Sequence, residues 1–411
     1  MSEAGFLTRR QALLLGLGSI ASAGSIIGAK AIAKSVHLQQ RVQANSLAQA
    51  STATEVVQSL KDRAAAKGLA YGAAARRPDL FGNSQLLECY VQDCSMLVPE
   101  WELKWADGEL PLRPGPEQFD FTHGDEMVSF AQTHDMEVRG HALIWHLSIP
   151  GWFGEAVNAG NAEQFLRTHV QTVVNHYAGQ IHSWDVVNEA IEVRDGQPNG
   201  MRRNPWYEFI GEDYVDLAFR IAAEADPNTM LVYNDYGLEY DSPEDEAKRA
   251  ATLKLLERLQ ANGTPIHALG IQSHLIGDAT HFNAEKFRRF LADVASMGLK
   301  ILITELDVID QKLPADIETR DRIVADVYEE YLNVALDEPA VTTVVTWGLT
   351  DRYTWLSQWN PRPDGLPVRP LPLDENMNQK LAWNAIARAL DHAPIRTSSV
   401  GTNPVSTNST N

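Results

Sequence analysis

With 411 residues, 44% of them hydrophobic, the chain is long enough to bury one large α/β core, and its length suits one barrel with short extensions better than several small domains. The formal net charge of −19 speaks against a nucleic-acid partner and against docking on an anionic membrane, both of which need basic patches. A neutral polymer is compatible with that charge.

At the N-terminus Thr8, Arg9 and Arg10 precede an uncharged run over residues 12–29 made of Leu, Ile, Gly, Ala and Ser. Paired arginines ahead of a moderately apolar, Gly/Ala-rich stretch predict a twin-arginine-type export signal over residues 1–33 rather than a membrane span. The mature protein is therefore expected in the periplasm or outside the cell, with no stable membrane span after processing. Residues 34–55, rich in Gln, Ala and Ser, read as a linker. A Ser/Thr/Asn-rich disordered tail is expected over 394–411. The only cysteines, Cys89 and Cys94, are not spaced to share a helix face and have no His or Cys cluster around them at zinc spacing. They read as small buried residues; a disulfide after export is allowed but not required.

Between the flanks, over residues 56–393, strand and helix patterns alternate. A helical stretch over 56–67 stops at Gly68 and is followed by a first strand over 69–75. Further apolar runs lie at 95–99, 137–144, 181–187, 230–234, 268–274, 300–305 and 342–348, and three-to-four-residue apolar spacing marks helices at 165–177, 214–225, 245–261, 285–296, 319–336 and 379–390. Eight strands alternating with helices predict an α/β fold, a single-domain (β/α)8 TIM barrel. A doubly wound open sheet is the alternative, but no Gly-rich phosphate loop follows any strand.

What stands at the strand ends points to chemistry. The second run leads into Glu100, Trp101 and Lys104; the third into His141, Trp145 and His146; the fourth into Asn188 and Glu189. The fifth ends in Asn234, Asp235 and Tyr236, the sixth in Gln272 and His274, the seventh in Glu305 and Asp307, and the eighth in Trp347, Asp351 and Trp355. Singly, each has a bland reading. A strand-end Glu is more often a solvated or first-turn acid, a Trp is usually core, and Asn or Gln can merely cap a helix. Every strand after the first contributes in the same sense, however. Indole faces stack on pyranose rings, and Asn, Gln, His and Lys bond hydroxyls. Two strands that each deliver a Glu to the C-terminal rim of a parallel barrel suggest the paired carboxylates of glycosidic-bond cleavage.

The strings PEWELKW, RGHALIWH, WDVVNEA, YNDYGLE, LGIQSHL, ITELDV and TWGLTDRYTWL, in this order over about residues 56–392, resemble the xylanases of glycoside hydrolase family 10. The resemblance implies a retaining endo-1,4-β-xylanase without metal or other cofactor, acting on xylan or xylo-oligosaccharides as a monomer. It implies Glu189 as acid/base and Glu305 as nucleophile, supported by Asn188, His274 and Asp307, with His274 bridging nucleophile and aspartate. His141, Lys104, Asn188, Gln272, Trp347 and Trp355 match residues that hold the sugar at the scissile bond. Glu100 matches a sugar-binding acid, Trp145 a cleft-wall indole and Tyr236 an aromatic position after the fifth strand. Retention requires the two carboxyl groups to lie about 5–5.5 Å apart. In one departure, Trp101 stands where the family usually has an Asn that helps bind sugars on the non-reducing side, so it either stacks on a sugar or narrows that end of the cleft. A retaining β-1,4- or mixed-linkage glucanase, and a non-catalytic carbohydrate-binding barrel, are the competing readings.

Overall fold

The computed structural model describes residues 58–106, 111–279 and 282–396; the expected export signal, the linker and the tail from residue 397 onward lie outside them. Strands β1 (Ala70–Ala75), β2 (Met96–Pro99), β3 (Glu137–Gly140), β4 (Ser183–Asn188), β5 (Met230–Asp235), β6 (Ala268–Ile271), β7 (Lys300–Ile309) and β8 (Val341–Thr346) each pair in parallel with the next. The eighth returns to the first, with Thr343 opposite Ala70 and Thr346 opposite Ala73, so the sheet closes on itself. Parallel neighbours require a crossover, and helices supply it. The chain is the (β/α)8 barrel that the alternation of patterns predicts.

The outer helices are α1 (Leu60–Ala65), α2 (Ser84–Asp93), α3 (Thr122–Thr133), α4 (Ala162–His176), α5 (Tyr214–Ala225), α6 (Pro243–Ala261), α7 (Ala284–Ser296), α8 (Ile317–Leu336) and α9 (Leu381–His392). Caps, not apolar spacing, fix several of their starts. The Ser242 hydroxyl accepts from the Asp245 amide with Pro243 in the first turn, and the Asp316 carboxylate accepts from the Thr319 amide. Both helices thus begin two residues before the predicted 245 and 319, because periodicity registers only once a helix meets the core. Spacing does not single out α2, which buries only Leu86, Tyr90 and Asp93.

The main core lies between the barrel and its helices. Inside the barrel, two small clusters fill the lumen: Ala74, Met96, Val98, Val345 and Trp347 form one, and Val232, Ala268 and Leu302 the other. The fold continues past residue 393. The Arg396 amide donates to the Lys67 carbonyl at 2.8 Å, and its guanidinium donates to the carbonyls of Leu336, Val341 and Glu338. Cys94 is buried and Cys89 half-buried, and the two are not bonded to each other. No described helix is long and apolar enough to cross a membrane.

Candidate active site

Two of the predicted runs are interrupted where they reach the barrel mouth. The third breaks after Gly140 at a cis peptide between His141 and Ala142, and resumes as a two-residue strand, Ile144–Trp145. The sixth breaks at Ser273, in the left-handed region at φ 63°, before the short strand His274–Ile276. That short strand pairs with the upper half of β7, His274 opposite Asp307, which keeps β7 extended to Ile309 rather than ending at Glu305. His141 and His274, which stand at these breaks, both line the cavity at the mouth.

Glu189 follows β4 directly and is itself left-handed at φ 60°, a conformation that is costly for a residue with a Cβ and that persists only where its surroundings impose it. Here the surroundings are specific. The Glu189 amide donates to the Asn234 carbonyl at 2.9 Å, and the Glu189 carbonyl accepts from Arg202 Nε at 2.7 Å. Its carboxylate Oε1 then accepts from Gln272 Nε2 at 3.0 Å and Asn188 Nδ2 at 3.2 Å.

Glu305, on β7, is held from two sides. Oε1 accepts from Asn234 Nδ2 at 2.8 Å, and Oε2 lies 3.2 Å from His274 Nε2. The other ring nitrogen of His274 bonds Asp307 Oδ1 at 2.9 Å, and Asp307 Oδ2 accepts from the Trp355 indole at 2.8 Å. Burial alone would depress the His274 pKa, but Asp307 and Glu305 outweigh it and raise the ring well above its usual value. Burial likewise pushes Glu305 up, yet His141, His274 and Lys104 together hold it down at about 2. One carboxylate is therefore kept ionised although it is buried. Between the two acids, Asn188 Oδ1 accepts from Asn234 Nδ2 at 2.9 Å and Gln272 Nε2 at 3.2 Å, so three amides link Glu189 to Glu305.

The surrounding walls are built from the other predicted positions. Lys104 Nζ stands 4.6 Å from the Trp145 ring centroid and 5.9 Å from that of Trp347, whose ring meets His141 edge-on. Glu100 is pushed up to about 7, chiefly by burial, against the opposing pull of Arg76 and Lys104. Tyr236 donates its hydroxyl to Glu192 and accepts from Arg202, with the Lys248 ammonium 3.4 Å from its ring centroid. A cavity of about 750 Å³ is lined by Glu100, Trp101, Lys104, His141, Trp145, Asn188, Glu189, Tyr236, Gln272, His274, Glu305, Trp347 and Trp355. Of the predicted site residues only Asp307 stands behind the lining, fully buried beneath His274.

Some strand-end residues turn out to be structural. Asp351 is buried in an ion pair with Lys380 at 2.9 Å and does not reach the cavity. Burial, reinforced by the positive charge of Arg202, lowers His146 to about 4, so its 3.7 Å approach to Glu189 is not an ion pair at neutral pH. Conversely, sequence reasoning passes over Asp185, which holds His141 Nδ1 at 2.8 Å and accepts from Arg139 at 2.5 Å. The signal was present: a charge in the middle of each of two apolar runs. Arg202, Glu192 and Lys248 come from loops and a helix and carry no such signal. Among the described residues, no three His, Cys, Asp or Glu side chains converge in a way that could hold a metal ion.

A parallel barrel whose strand ends bring two glutamates, one held ionised, into an indole-lined cavity belongs to the class of barrels that act on carbohydrate through paired carboxylates. The chain belongs to glycosyl hydrolase family 10, whose model matches residues 59–389. It is 35% identical over 330 residues to a beta-1,4-xylanase of Dictyoglomus thermophilum, covering 77% of this chain and 87% of that protein. Its fold is similar to that of native xylanase 10B from Thermotoga maritima, with a TM-score of 0.73, 33% identity, and coverage of 81% of this chain and 98% of that one. Xylanase 10B from Thermotoga petrophila, solved with xylobiose, gives a TM-score of 0.73 at 32% identity, covering 81% and 97% of the two chains.

Proposed function

We propose that the protein is a retaining endo-1,4-β-xylanase. The observation that carries this reading is the convergence of Glu189 and Glu305 on one cavity, within a family 10 barrel and joined by the Asn188, Gln272 and Asn234 amides. In the first step the ionised Glu305 attacks the anomeric carbon. The glycosidic C–O bond breaks as Glu189 gives its proton to the leaving oxygen, leaving a glycosyl ester on Glu305. In the second step Glu189, now a carboxylate, takes a proton from water, which attacks the same carbon and frees Glu305. Protonated His274, itself fixed by Asp307, keeps Glu305 ionised and oriented between turnovers.

His141, Lys104, Asn188 and Gln272 bond the hydroxyls of the sugar under attack, and Trp347 and Trp355 wall it in. Glu100, Trp101 and Trp145 serve the neighbouring sugars on the side of the glycosyl unit, and Tyr236 serves the leaving side. Export by a twin-arginine-type signal would bring a monomeric enzyme to a polymer too large to enter the cell; the paired Arg9 and Arg10 ahead of an uncharged stretch support this. Intact mass of the exported protein tests it, and an unprocessed N-terminus would contradict it.

Reducing-sugar release from xylan, cellulose and mixed-linkage glucan, measured side by side, tests the substrate. Release from xylan well above the others is expected. Preference for a glucan would assign the glucanase reading, and binding without release from any polymer would assign a non-catalytic barrel.

A further inference from the structure

Trp101, the residue at which this chain departs from the family's usual Asn, lines the cavity while its ring is covered by Arg76, whose guanidinium carbon is 4.8 Å from the ring centroid. Arg76 is fixed in turn: Nε pairs with Asp79 at 2.6 Å, and Nη2 donates to the Tyr353 carbonyl at 3.0 Å. The indole is thus held by segments that follow β1 and β8 as well as by its own loop after β2. A side chain immobilised in this way loses little freedom when a ligand meets it.

The neighbours of the two acids show which part of the sugar chain Trp101 faces. Lys104, on the same loop as Trp101, lines the cavity together with Glu305 and stands 5.9 Å from the ring centroid of Trp347, so this loop flanks the carboxylate that takes up the glycosyl unit. Arg202 lies 3.9 Å from Glu189 and is linked to Glu192 and Tyr236, so this second cluster flanks the proton-donating acid, where the leaving chain departs. Trp101 therefore lies beyond the glycosyl unit and not beyond the leaving group. Its loop neighbours Glu100 and Lys104 line the same cavity.

We infer that Trp101, backed by Arg76, is a fixed stacking platform for the second sugar of the glycosyl half, and that it sets the shortest chain the enzyme turns over efficiently. This rests on the proposed hydrolase reading. The test compares kcat/KM on an aryl β-xylobioside, which reaches the platform, with that on an aryl β-xyloside, which does not. Trp101→Ala is expected to lower the bioside-to-xyloside ratio roughly tenfold, the scale of one lost aromatic contact, and Trp101→Phe to restore most of it. A ratio unchanged in Trp101→Ala would overturn the proposal, and a raised ratio would show that the indole obstructs. Should the wild-type enzyme cleave neither aryl substrate nor xylan, the hydrolase reading itself falls, an outcome separate from a wild-type enzyme whose ratio is insensitive to position 101.

Discussion

At the level of single residues, the two glutamates differ in what surrounds them, and that difference fits the nucleophile and acid/base roles proposed for them. Glu305 accepts from an amide and from a charged imidazole, whereas the hydrogen bonds to the Glu189 carboxylate come from the neutral amides of Asn188 and Gln272, with the Arg202 guanidinium farther off at 3.9 Å. Replacing Glu189 with Ala should cost roughly 10²–10⁴-fold on xylan, where the leaving oxygen needs a proton, and far less in the first step on aryl glycosides with acidic leaving groups. Pre-steady-state release of the aryl group measures this; equal losses on both would contradict the acid role. The charges on Glu305 and His274 also set a pH window. Glu305, held at about 2, contributes stability that is present above its ordinary carboxylate range and lost as pH falls through about 2. His274, raised, contributes stability that is present below its ordinary value and lost as pH rises through its raised one. Removing the ring charge in His274→Gln should raise the Glu305 pKa and move the acid limb of the kcat/KM profile to higher pH. An acid limb that stays in place would show that the imidazole does not hold Glu305 ionised.

At the level of elements, the geometry depends on how closely β5 and β6 approach. A Cβ at Gly270 on β6 would overlap the Asn234 side-chain oxygen on β5, the amide that bonds Glu305 and Asn188 at once. Gly270→Ala should therefore leave the barrel folded by circular dichroism while lowering kcat/KM roughly 10²-fold, the cost of misplacing a reacting group by about an ångström. Full activity would mean that Asn234 is not a positioning residue. The strands that deliver Asn188, Glu189, Gln272 and Glu305 were legible because apolar runs end abruptly in polar residues. What was not legible is which partners meet across the barrel: Asn234 and Glu305 are 71 positions apart, and Asp185 reads locally as one charge in an apolar run. The upper half of β7 was missed because its extension comes from pairing with His274–Ile276, a contact between strands that no run of residues displays.

For the molecule as a whole, strand order and closure followed from eight alternating patterns, while the seam that holds the two ends of the barrel together did not. Arg396 spans that seam from beyond the last helix, tying Lys67 before β1 to Leu336, Glu338 and Val341 around the start of β8. Read by composition, the segment belongs to a polar tail; only its bonds show that the fold continues through it. Arg396→Ala should destabilise the barrel by about 1–3 kcal/mol, since carbonyls lose their donor at a partly buried site, with kcat/KM unchanged at 25 °C. Thermal unfolding checks this, and an unaltered Tm would show that Arg396 contributes nothing to closure.

Glu305 is proposed to form a covalent bond to the sugar while Glu189 manages the proton. Incubation with a 2-deoxy-2-fluoro xylobioside bearing a good leaving group, followed by peptide mass spectrometry, tests it most directly. One fluorosugar per chain is expected, esterified to Glu305 in the peptide that contains ITELDV. A label on Glu189 or elsewhere, or turnover with inversion at the anomeric carbon and no label at all, would contradict it.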